Sequence, residues 1–361
     1  MQVLENATQF PDELLKLSQD SLSDVKNCRI RSEKIDPLQI DVGLDNEPWI
    51  ELSLSHENAA TKSIPIQSDP AETTIVGIDT TNVDLGETHE GILFALRGTV
   101  VWTRNHHYSL TRYGPFIVFA TEKNKQILYN TLAQNLLSIR QTYRAPDRLH
   151  LSNAFRAIFE RALQRSVCEK FRDAVVLWDG SLTVWTNDPT YFATQRILKE
   201  ARENGNIVMG LSKKTQLYVG DKCITDLIDD GSSPCMIPVS FVTRFGDEEA
   251  VRSLGRVYVT KLAAGSCTFR FDIDRDLTEE QGFTGVRRLI GNDLIIENYP
   301  ETLRLAHIFS RFTATEIIGL QRYVSEFYSF RISKRPDIRH IIFGPFGGRQ
   351  IMEGPTYDAI V

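Results

Sequence analysis

The segment AVVLWDGSLTVW, residues 174–185, decides the fold. Its apolar residues 174–178 run directly into Asp179, and Gly180 follows at once. A short apolar run that ends in a turn signal predicts a buried strand. A carboxylate at the end of such a strand is either a turn residue or a functional residue. The segments on either side of it are needed to distinguish the two.

Helices flank this strand on both sides along the chain. Apolar periodicity predicts a helix over 151–172 and another over 188–205, and a further strand follows over 206–211. Two strands that are joined by a helix form a βαβ unit, in which the strands are parallel. The strands 174–178 and 206–211 are therefore expected to be parallel neighbours.

Three strands precede these units and have short connections. They span 73–79, 91–105 and 108–121, and a tight turn around 105–107 joins the last two. This order predicts an antiparallel meander. An antiparallel meander that continues into parallel βαβ units is typical of the ribonuclease H-like fold. We therefore expect an α/β protein with a mixed sheet and helices on both faces.

The remaining segments suggest a division of the chain into domains. Residues 1–70 are predicted to form an N-terminal extension and linker, helical at first and then polar. Residues 71–361 form the predicted main domain, with an insertion around 216–250. A hairpin around 263–266 and one long helix over 301–330 are expected near its end.

Composition narrows the possible functions. The formal net charge is −6, whereas proteins that coat nucleic acid are usually basic, so any contact with nucleic acid must use a local basic patch. No apolar run reaches the length of a membrane span, and the first residues do not have the pattern of a signal peptide. The five cysteines are scattered without a C-x-x-C pair, so neither a zinc site nor a disulfide framework is expected. A cytoplasmic setting fits best.

Three acidic residues converge in the predicted topology. Asp79 ends the first strand and Asp179 ends the strand beside it, while Glu160 lies at the border of the apolar arc of helix 151–172. Converging carboxylates repel one another unless a cation neutralises them. Their hard oxygen atoms suit Mg²⁺ or Mn²⁺, and such ions can promote hydrolysis of a phosphodiester. The sequence therefore predicts a metal site.

Each of these acids also has an ordinary explanation when taken alone. Asp79 and Asp179 could simply belong to turns, and Glu160 could be a solvated helix residue. Only the joint placement on the first strand, the helix and the fourth strand favours the metal site.

Several segments resemble the NurA nucleases, a family with a ribonuclease H-like core. The resemblance spans roughly residues 70–330 and is carried by TTIVGIDTT, FERAL, VVLWDGSLT, IVMGLSKKT, VYVTKLAAGSCTFRFDI and NYPETLRLAHIFSRF. It implies that residues 71–361 are a nuclease domain. It also implies that Asp79, Glu160 and Asp179 bind a divalent metal, Mn²⁺ or alternatively Mg²⁺.

The resemblance implies further site residues and partners. His307 matches a late histidine near the metal centre, where it would complete the metal shell or donate a proton, and Tyr299 matches a tyrosine of supporting role. Lys213 would lie beside the scissile phosphate. The family's activity would be degradation of DNA ends, in repair or defence, by a homodimer that docks on a HerA-type hexameric ATPase.

Basic residues supply candidates for contacts with DNA phosphates. Those expected in the core are Lys213, Lys261 and Arg270, and the tail adds Arg331, Lys334, Arg335 and Arg339.

Two other functions remain open on the sequence. An actin-like ATPase shares the core topology, and GIDTTN looks like the first phosphate loop of that class, but a second Gly-rich phosphate loop is lacking. A non-catalytic adaptor could keep the fold, although retention of all three acids argues against it.

Overall fold

The computed structural model describes most of the chain. The described residues are 9–23, 29–32, 50–53, 63–185, 188–215, 217–219, 222–227, 233–239, 242–243, 251–329 and 331–334.

The described residues form helices and strands in a mixed order. The helices are α1 (Gln9–Ser23), α2 (Lys125–Leu137), α3 (Leu151–Lys170), α4 (Tyr191–Glu203), α5 (Glu279–Asn292), α6 (Glu301–Ser310) and α7 (Ala314–Tyr328), with a 3₁₀ turn at Ile224–Leu227. The strands are β1 (Arg29–Ser32), β2 (Ile50–Ser53), β3 (Ile64–Pro65), β4 (Ile75–Glu87), β5 (Gly91–Arg104), β6 (His107–Thr121), β7 (Val175–Asp179), β8 (Thr183–Trp185), β9 (Ile207–Ser212), β10 (Leu217–Val219), β11 (Lys222–Cys223), β12 (Cys235–Pro238), β13 (Val242–Thr243), β14 (Val251–Ser253), β15 (Gly255–Lys261), β16 (Phe269–Asp274), β17 (Ile295–Ile296), β18 (Tyr299–Pro300) and β19 (Arg331–Lys334).

An 11-stranded mixed sheet organises the molecule. Its core runs in the order β6, β5, β4, β7, β9, with the first two pairings antiparallel and the next two parallel. Strands β16 and β15 continue the sheet beyond β9 in antiparallel fashion. An antiparallel meander thus passes into parallel strands at the β4–β7 pair, which confirms the predicted ribonuclease H-like fold class.

Helices cover both faces of this sheet, as predicted. On one face, α2, α3 and α4 pack through residues such as Leu132, Phe155 and Leu198 in one hydrophobic cluster. On the other face, α5 and α6 pack through Val286 and Leu303 in a second cluster. The two clusters alternate along β4 because successive side chains of a strand point to opposite faces. No helix in the described part of the chain combines the length and the apolar character that a membrane crossing needs.

Helix α6 lies unusually close to strand β4. A Cβ atom placed on Gly77 would come within 2.8 Å of the carbonyl oxygen of Thr302 and 2.9 Å of the backbone nitrogen of Leu303. Only a glycine leaves room for two backbones to approach this closely. The close packing fixes where the following turns of α6 meet β4, at Asp79.

The C-terminal helical region differs from the sequence prediction of one helix over 301–330. Helix α6 ends at Ser310, and Thr313 begins α7 with a capping box in which Thr313 and Glu316 bind each other's backbone amides. The single helix is wrong because this cap starts a new helix direction. Helix α5 was not predicted from the sequence. It also begins with a capping box, which Thr278 and Gln281 form.

The N-terminal segment contributes to the packed core. Leu14 and Leu17 of α1 are buried in the same cluster as Phe155. Ser18 donates a hydrogen bond to the carbonyl of Ile117 on β6, and Ser21 accepts one from the amide of Phe119. Strand β3 also pairs with β12. An extension that packs in this way is joined to the main domain, and the boundary near residue 70 stays a proposal.

The segment around 216–250 contains several short strands. Strand β12 pairs with β15 and so belongs to the main sheet. Strands β10, β11 and β13 form a separate small sheet with β2 from the N-terminal segment.

Arg97 ties β5 to the junction between α6 and α7. Its buried guanidinium donates to both carboxylate oxygens of Glu316, at 2.9 and 3.2 Å, and to the carbonyl of Arg311 at 2.9 Å. It also stacks over the ring of Phe312 at 4.1 Å from the centroid. A bidentate ion pair with one partner buried holds this junction against the sheet.

We expect Gly77→Ala to lower the free energy of unfolding by about 1–3 kcal/mol, because the new methyl group must push α6 away from β4. The control is Gly319→Ala in α7, where a Cβ meets open space. That change should be neutral or stabilising by up to about 1 kcal/mol. Urea denaturation of both variants measures the difference, and equal midpoints for the two variants would contradict the close packing.

We expect Glu316→Gln to cost about 1–2 kcal/mol of stability at neutral pH, through the weakened bond to Arg97 and with allowance for the exposure of Glu316. The hydrogen bond from Arg97 lowers the pKa of Glu316 from 4.5 to about 2. A lowered acidic pKa gives stability that is present above the unfolded value and is lost as the pH falls toward the folded value. Chemical denaturation of both proteins should therefore show their difference shrinking between pH 4.5 and 2. A difference that stays constant over this window would refute the assignment.

Candidate metal centre

Two aspartates lie side by side where the parallel pairing of two adjacent strands ends. Asp179 ends β7, whereas β4 continues from Asp79 to Glu87, so the prediction that the first strand ends at Asp79 is wrong. The pairing of β4 with β7 ends at Ile78 and Trp178, so Asp79 and Asp179 are the next residues on each strand. Both side chains point to the face that α6 covers, since they alternate with residues of the α3 face. Asp79 is 7% exposed, and the Asp179 side chain is 16% exposed. Two carboxylates therefore share one largely buried position.

Helix α6 brings a histidine and a serine to these carboxylates. His307 Nδ1 lies 3.1 Å from Asp79 Oδ2 and 3.7 Å from Asp179 Oδ2. Ser310, one turn later and fully buried, donates a hydrogen bond to Asp79 Oδ2. Ser310 was not predicted from the sequence as a site residue, although its i+3 spacing from His307 places it on the same face of a helix.

A buried aspartate anchors the start of α6. Asp293 Oδ2 accepts a hydrogen bond from the backbone amide of Thr302 at 3.1 Å, and its Oδ1 accepts one from the hydroxyl of Tyr108 at 2.7 Å. Burial raises the pKa of Asp293 even though these hydrogen bonds act in the opposite direction. A carboxylate at a helix N-terminus satisfies backbone donors that would otherwise be unpaired. Together with Gly77, Asp293 therefore fixes the position of His307.

Lys213 joins the cluster from the end of β9. Its Nζ lies 2.7 Å from Asp179 Oδ2 and 5.7 Å from the centroid of the Tyr299 ring. Tyr299 packs in turn against Phe269, with ring centroids 5.4 Å apart. The structure therefore brings together Asp79, Asp179, His307 and Lys213, with Tyr299 beside them. Their predicted roles in catalysis and metal binding stay predictions.

The two aspartates differ in their protonation. Burial would raise the pKa of Asp79, but the hydrogen bonds from His307 and Ser310 and the charges of His307 and Lys213 outweigh it and hold that pKa below its ordinary value. Burial and the negative charge of Asp79 raise the pKa of Asp179 to about 7, although Lys213 and His307 oppose this shift. Two neighbouring carboxylates that are largely buried repel each other when both are ionised. A pair that keeps one proton, and so carries one negative charge, is therefore favoured.

The donor set fits a hard divalent cation. One ligand atom from each of Asp79, Asp179 and His307 lies within 4.8 Å of the others. Carboxylate oxygens and an imidazole nitrogen suit Mg²⁺ or Mn²⁺, with Mn²⁺ the more tolerant of nitrogen. A divalent cation would also offset the repulsion that keeps a proton on Asp179 near neutral pH.

Glu160 lies near this cluster but outside the group of mutually close ligand atoms. Its carboxylate pairs with Arg156 at 2.8 Å and accepts hydrogen bonds from Thr80 at 3.4 Å and Gln164 at 3.3 Å. Thr80 follows Asp79 on β4 and points to the α3 face. The structure therefore places Glu160 next to Thr80 of β4, on the opposite face of the sheet from Asp79, and its role as a metal ligand stays a prediction.

Two of the predicted DNA contacts are corrected by the structure. Arg270 is 1% exposed and forms a bidentate ion pair with Asp272 at 2.8 Å, so its charge is already used inside the fold. Lys261 is 3% exposed on β15. Buried cations in the interior of a sheet cannot contact a DNA strand at the surface. Of the three core candidates, only Lys213 is exposed beside the acidic cluster.

Of the four basic residues predicted in the tail, two lie among the described residues. Arg331 and Lys334 lie on β19, which pairs with β1. Arg335 and Arg339 lie outside the described residues.

The cysteines that the structure describes are all free. They are Cys168, Cys223, Cys235 and Cys267, whereas Cys28 lies outside the described residues.

Comparisons with known proteins give similarities of fold. No family model matches the chain, and no curated protein matches it. Among solved structures, the NurA nuclease from Sulfolobus solfataricus is 16% identical, with a TM-score of 0.47 over 73% of this chain and 87% of that one. A structure of NurA bound to dAMP and manganese is 9% identical, with a TM-score of 0.36 over 72% of this chain and 89% of that one. Endonuclease V from Bacillus subtilis is 14% identical, with a TM-score of 0.33 over 81% of this chain and 93% of that one.

We expect Asp179→Asn to stabilise the metal-free protein at pH 8 but not at pH 4. A raised acidic pKa makes ionisation a cost to the fold that begins above the unfolded value of 3.8 and is complete above about 7. The amide of the variant does not ionise, so the variant does not lose this stability as the pH rises. Thermal unfolding in the presence of EDTA should show the gain growing between pH 4 and 7. The exposed Asp276→Asn is the control, and a gain of the same size at every pH would contradict the strained carboxylate pair.

Proposed function

We propose that this protein is a divalent-metal-dependent deoxyribonuclease that hydrolyses phosphodiester bonds at DNA ends. The observation that carries the proposal is the convergence of Asp79, Asp179 and His307 where the parallel pairing of β4 with β7 ends. This is the edge of an open α/β sheet where ligands bind. The sequence resemblance to NurA nucleases supports the choice of DNA as substrate and Mn²⁺ or Mg²⁺ as cofactor.

The metal would be held by Asp79, Asp179 and His307, with Glu160 as the further predicted ligand. When bound, a divalent cation supplies Lewis-acid activation of a water and stabilises charge on the phosphate. The chain's own residues orient this arrangement, since Ser310 fixes one oxygen of Asp79 and α6 fixes the imidazole. His307 Nδ1 faces both carboxylates, so His307 serves either as a ligand through this atom or as a proton donor to the leaving oxygen.

Lys213 would take the part of a phosphate-binding cation. Its ammonium pairs with Asp179 and is the exposed member of the cluster. With Asp179 engaged as a metal ligand, the ammonium of Lys213 would offset the charge that develops on the phosphate in the transition state. Tyr299 supports this position because its ring packs against the Lys213 side chain.

The wider setting is also a proposal. The resemblance to NurA supports a homodimer that works with a HerA-type hexameric ATPase in DNA repair or defence. A net charge of −6 supports the need for a partner, since unaided affinity for DNA would be weak. The scattered cysteines support a cytoplasmic location.

The decisive experiment is a cleavage assay on single- and double-stranded DNA with Mn²⁺ or Mg²⁺. We expect Asp79→Asn and Asp179→Asn each to lower the rate by about 100-fold or more, because each removes a ligand whose metal contributes several kcal/mol. The control is Asp276→Asn, an exposed aspartate that pairs with Arg202 beyond the other end of β9. It should cleave like the wild type.

Three results would contradict the proposal. Full cleavage by both site variants would remove the carboxylates from the mechanism. ATP turnover without cleavage would favour the actin-like ATPase. Absence of both activities, with and without a translocase, would leave the non-catalytic adaptor.

A further inference from the structure

Each of the three predicted acidic ligands is held by its own basic side chain. Asp79 contacts His307 at 3.1 Å, Asp179 contacts Lys213 at 2.7 Å, and Glu160 contacts Arg156 at 2.8 Å. The first two pairs lie inside the acidic cluster. The third lies on α3, and the proposed function gives no role to its arginine.

Both oxygens of Glu160 are occupied in this arrangement. Oε2 accepts from Arg156 and Thr80, and Oε1 accepts from the side-chain amide of Gln164. Gln164 is fully buried, and its own oxygen accepts from Arg161. The Glu160 side chain is 14% exposed, and that of Arg156 is 28% exposed. This network is built to hold Glu160 in one orientation.

Glu160 nevertheless lies at the point where the sheet opens. Strand β4 continues beyond Asp79, whereas its pairing with β7 stops at Ile78 and Trp178. Thr80, which contacts Glu160, is the direct neighbour of Asp79. The network therefore holds Glu160 against Thr80, on the other face of the sheet from Asp79, and the ion pair of Glu160 is the one with Arg156.

We propose that Arg156 is a positioning residue that holds Glu160 outside the metal centre. A divalent cation then gains Glu160 as a ligand only when the ion pair between Arg156 and Glu160 is broken. This inference rests on the proposed function, because it requires Glu160 to become a ligand. Binding of the metal and release of the Arg156–Glu160 pair are then linked, and the affinity for metal is reduced by the stability of that pair.

The test measures the affinity for Mn²⁺ alone, by calorimetry or by electron paramagnetic resonance of free Mn²⁺, without DNA. Arg156→Met keeps the apolar stem of the arginine and removes its charge. We expect it to bind Mn²⁺ about 2- to 5-fold more tightly than the wild type, the range of a partly exposed ion pair. Glu160→Gln should bind more weakly. Thermal unfolding of each variant establishes that it is folded, and Arg156→Gln provides a second neutral replacement.

The chain offers a closely matched control on the same helix. Arg165 pairs with Glu169 at the same i,i+4 spacing and the same 2.8 Å distance, and its side chain is 29% exposed. Arg165→Met should leave the Mn²⁺ affinity unchanged. The double variant Arg156→Met/Glu160→Gln should bind like Glu160→Gln alone, because the arginine acts only through the glutamate.

The outcomes separate this inference from the proposed function. Unchanged or weaker Mn²⁺ binding by Arg156→Met would overturn the inference while leaving the metal site intact. A gain that persists in the double variant would also overturn it, since Arg156 would then act by general repulsion of the cation. If wild type and an Asp79→Asn/Asp179→Asn variant bind Mn²⁺ equally, both the inference and the proposed function are wrong.

Discussion

The repulsion between two buried carboxylates is the constraint around which the site is organised. Because β4 and β7 pair in parallel up to Ile78 and Trp178, Asp79 and Asp179 are neighbours on the two strands. Such a pair is stable only where protons, cations or hydrogen-bond donors compensate its charge. The donors come from two other elements: His307 and Ser310 from α6, and Lys213 from the end of β9. The close packing of α6 on Gly77 is therefore as much a part of the site as the side chains that touch the aspartates.

The alternation of side chains along β4 divides this chemistry between two layers. Asp79 faces α6, whereas Thr80 faces α3 and contacts Glu160 there. Asp79 thus faces the α6 layer, whereas Glu160 belongs to the α3 layer on the opposite face of the sheet.

The sequence predicted the elements that have strong local patterns. The meander and the βαβ unit follow from apolar runs and turn residues and are confirmed by the strand order, and Asp179 ends β7 as predicted. Asp79 does not end its strand, because β4 continues to Glu87 as part of the long hairpin with β5. The burial of Arg270 was not predictable in this way, because Phe269 and Phe271 suggest a strand with one exposed face, whereas both faces are covered and Asp272 neutralises the arginine. The break between α6 and α7 was readable, since TATE at 313–316 is a capping-box pattern. Ser310 could not be identified as a site residue until the orientation of α6 was known.

The packing of α1 against β6 has a consequence for the solution behaviour of shortened chains. In the described part of the chain, β5 is the only strand that pairs with β6, and Ser18 and Ser21 of α1 satisfy backbone groups along its outer side. A chain that began near residue 70 would lose both serines together with the buried Leu14 and Leu17. Its sheet would then end in an open hydrogen-bonding edge, which invites intermolecular strand pairing and aggregation. The N-terminal helix thus protects the chain from aggregation as well as contributing to the packed core.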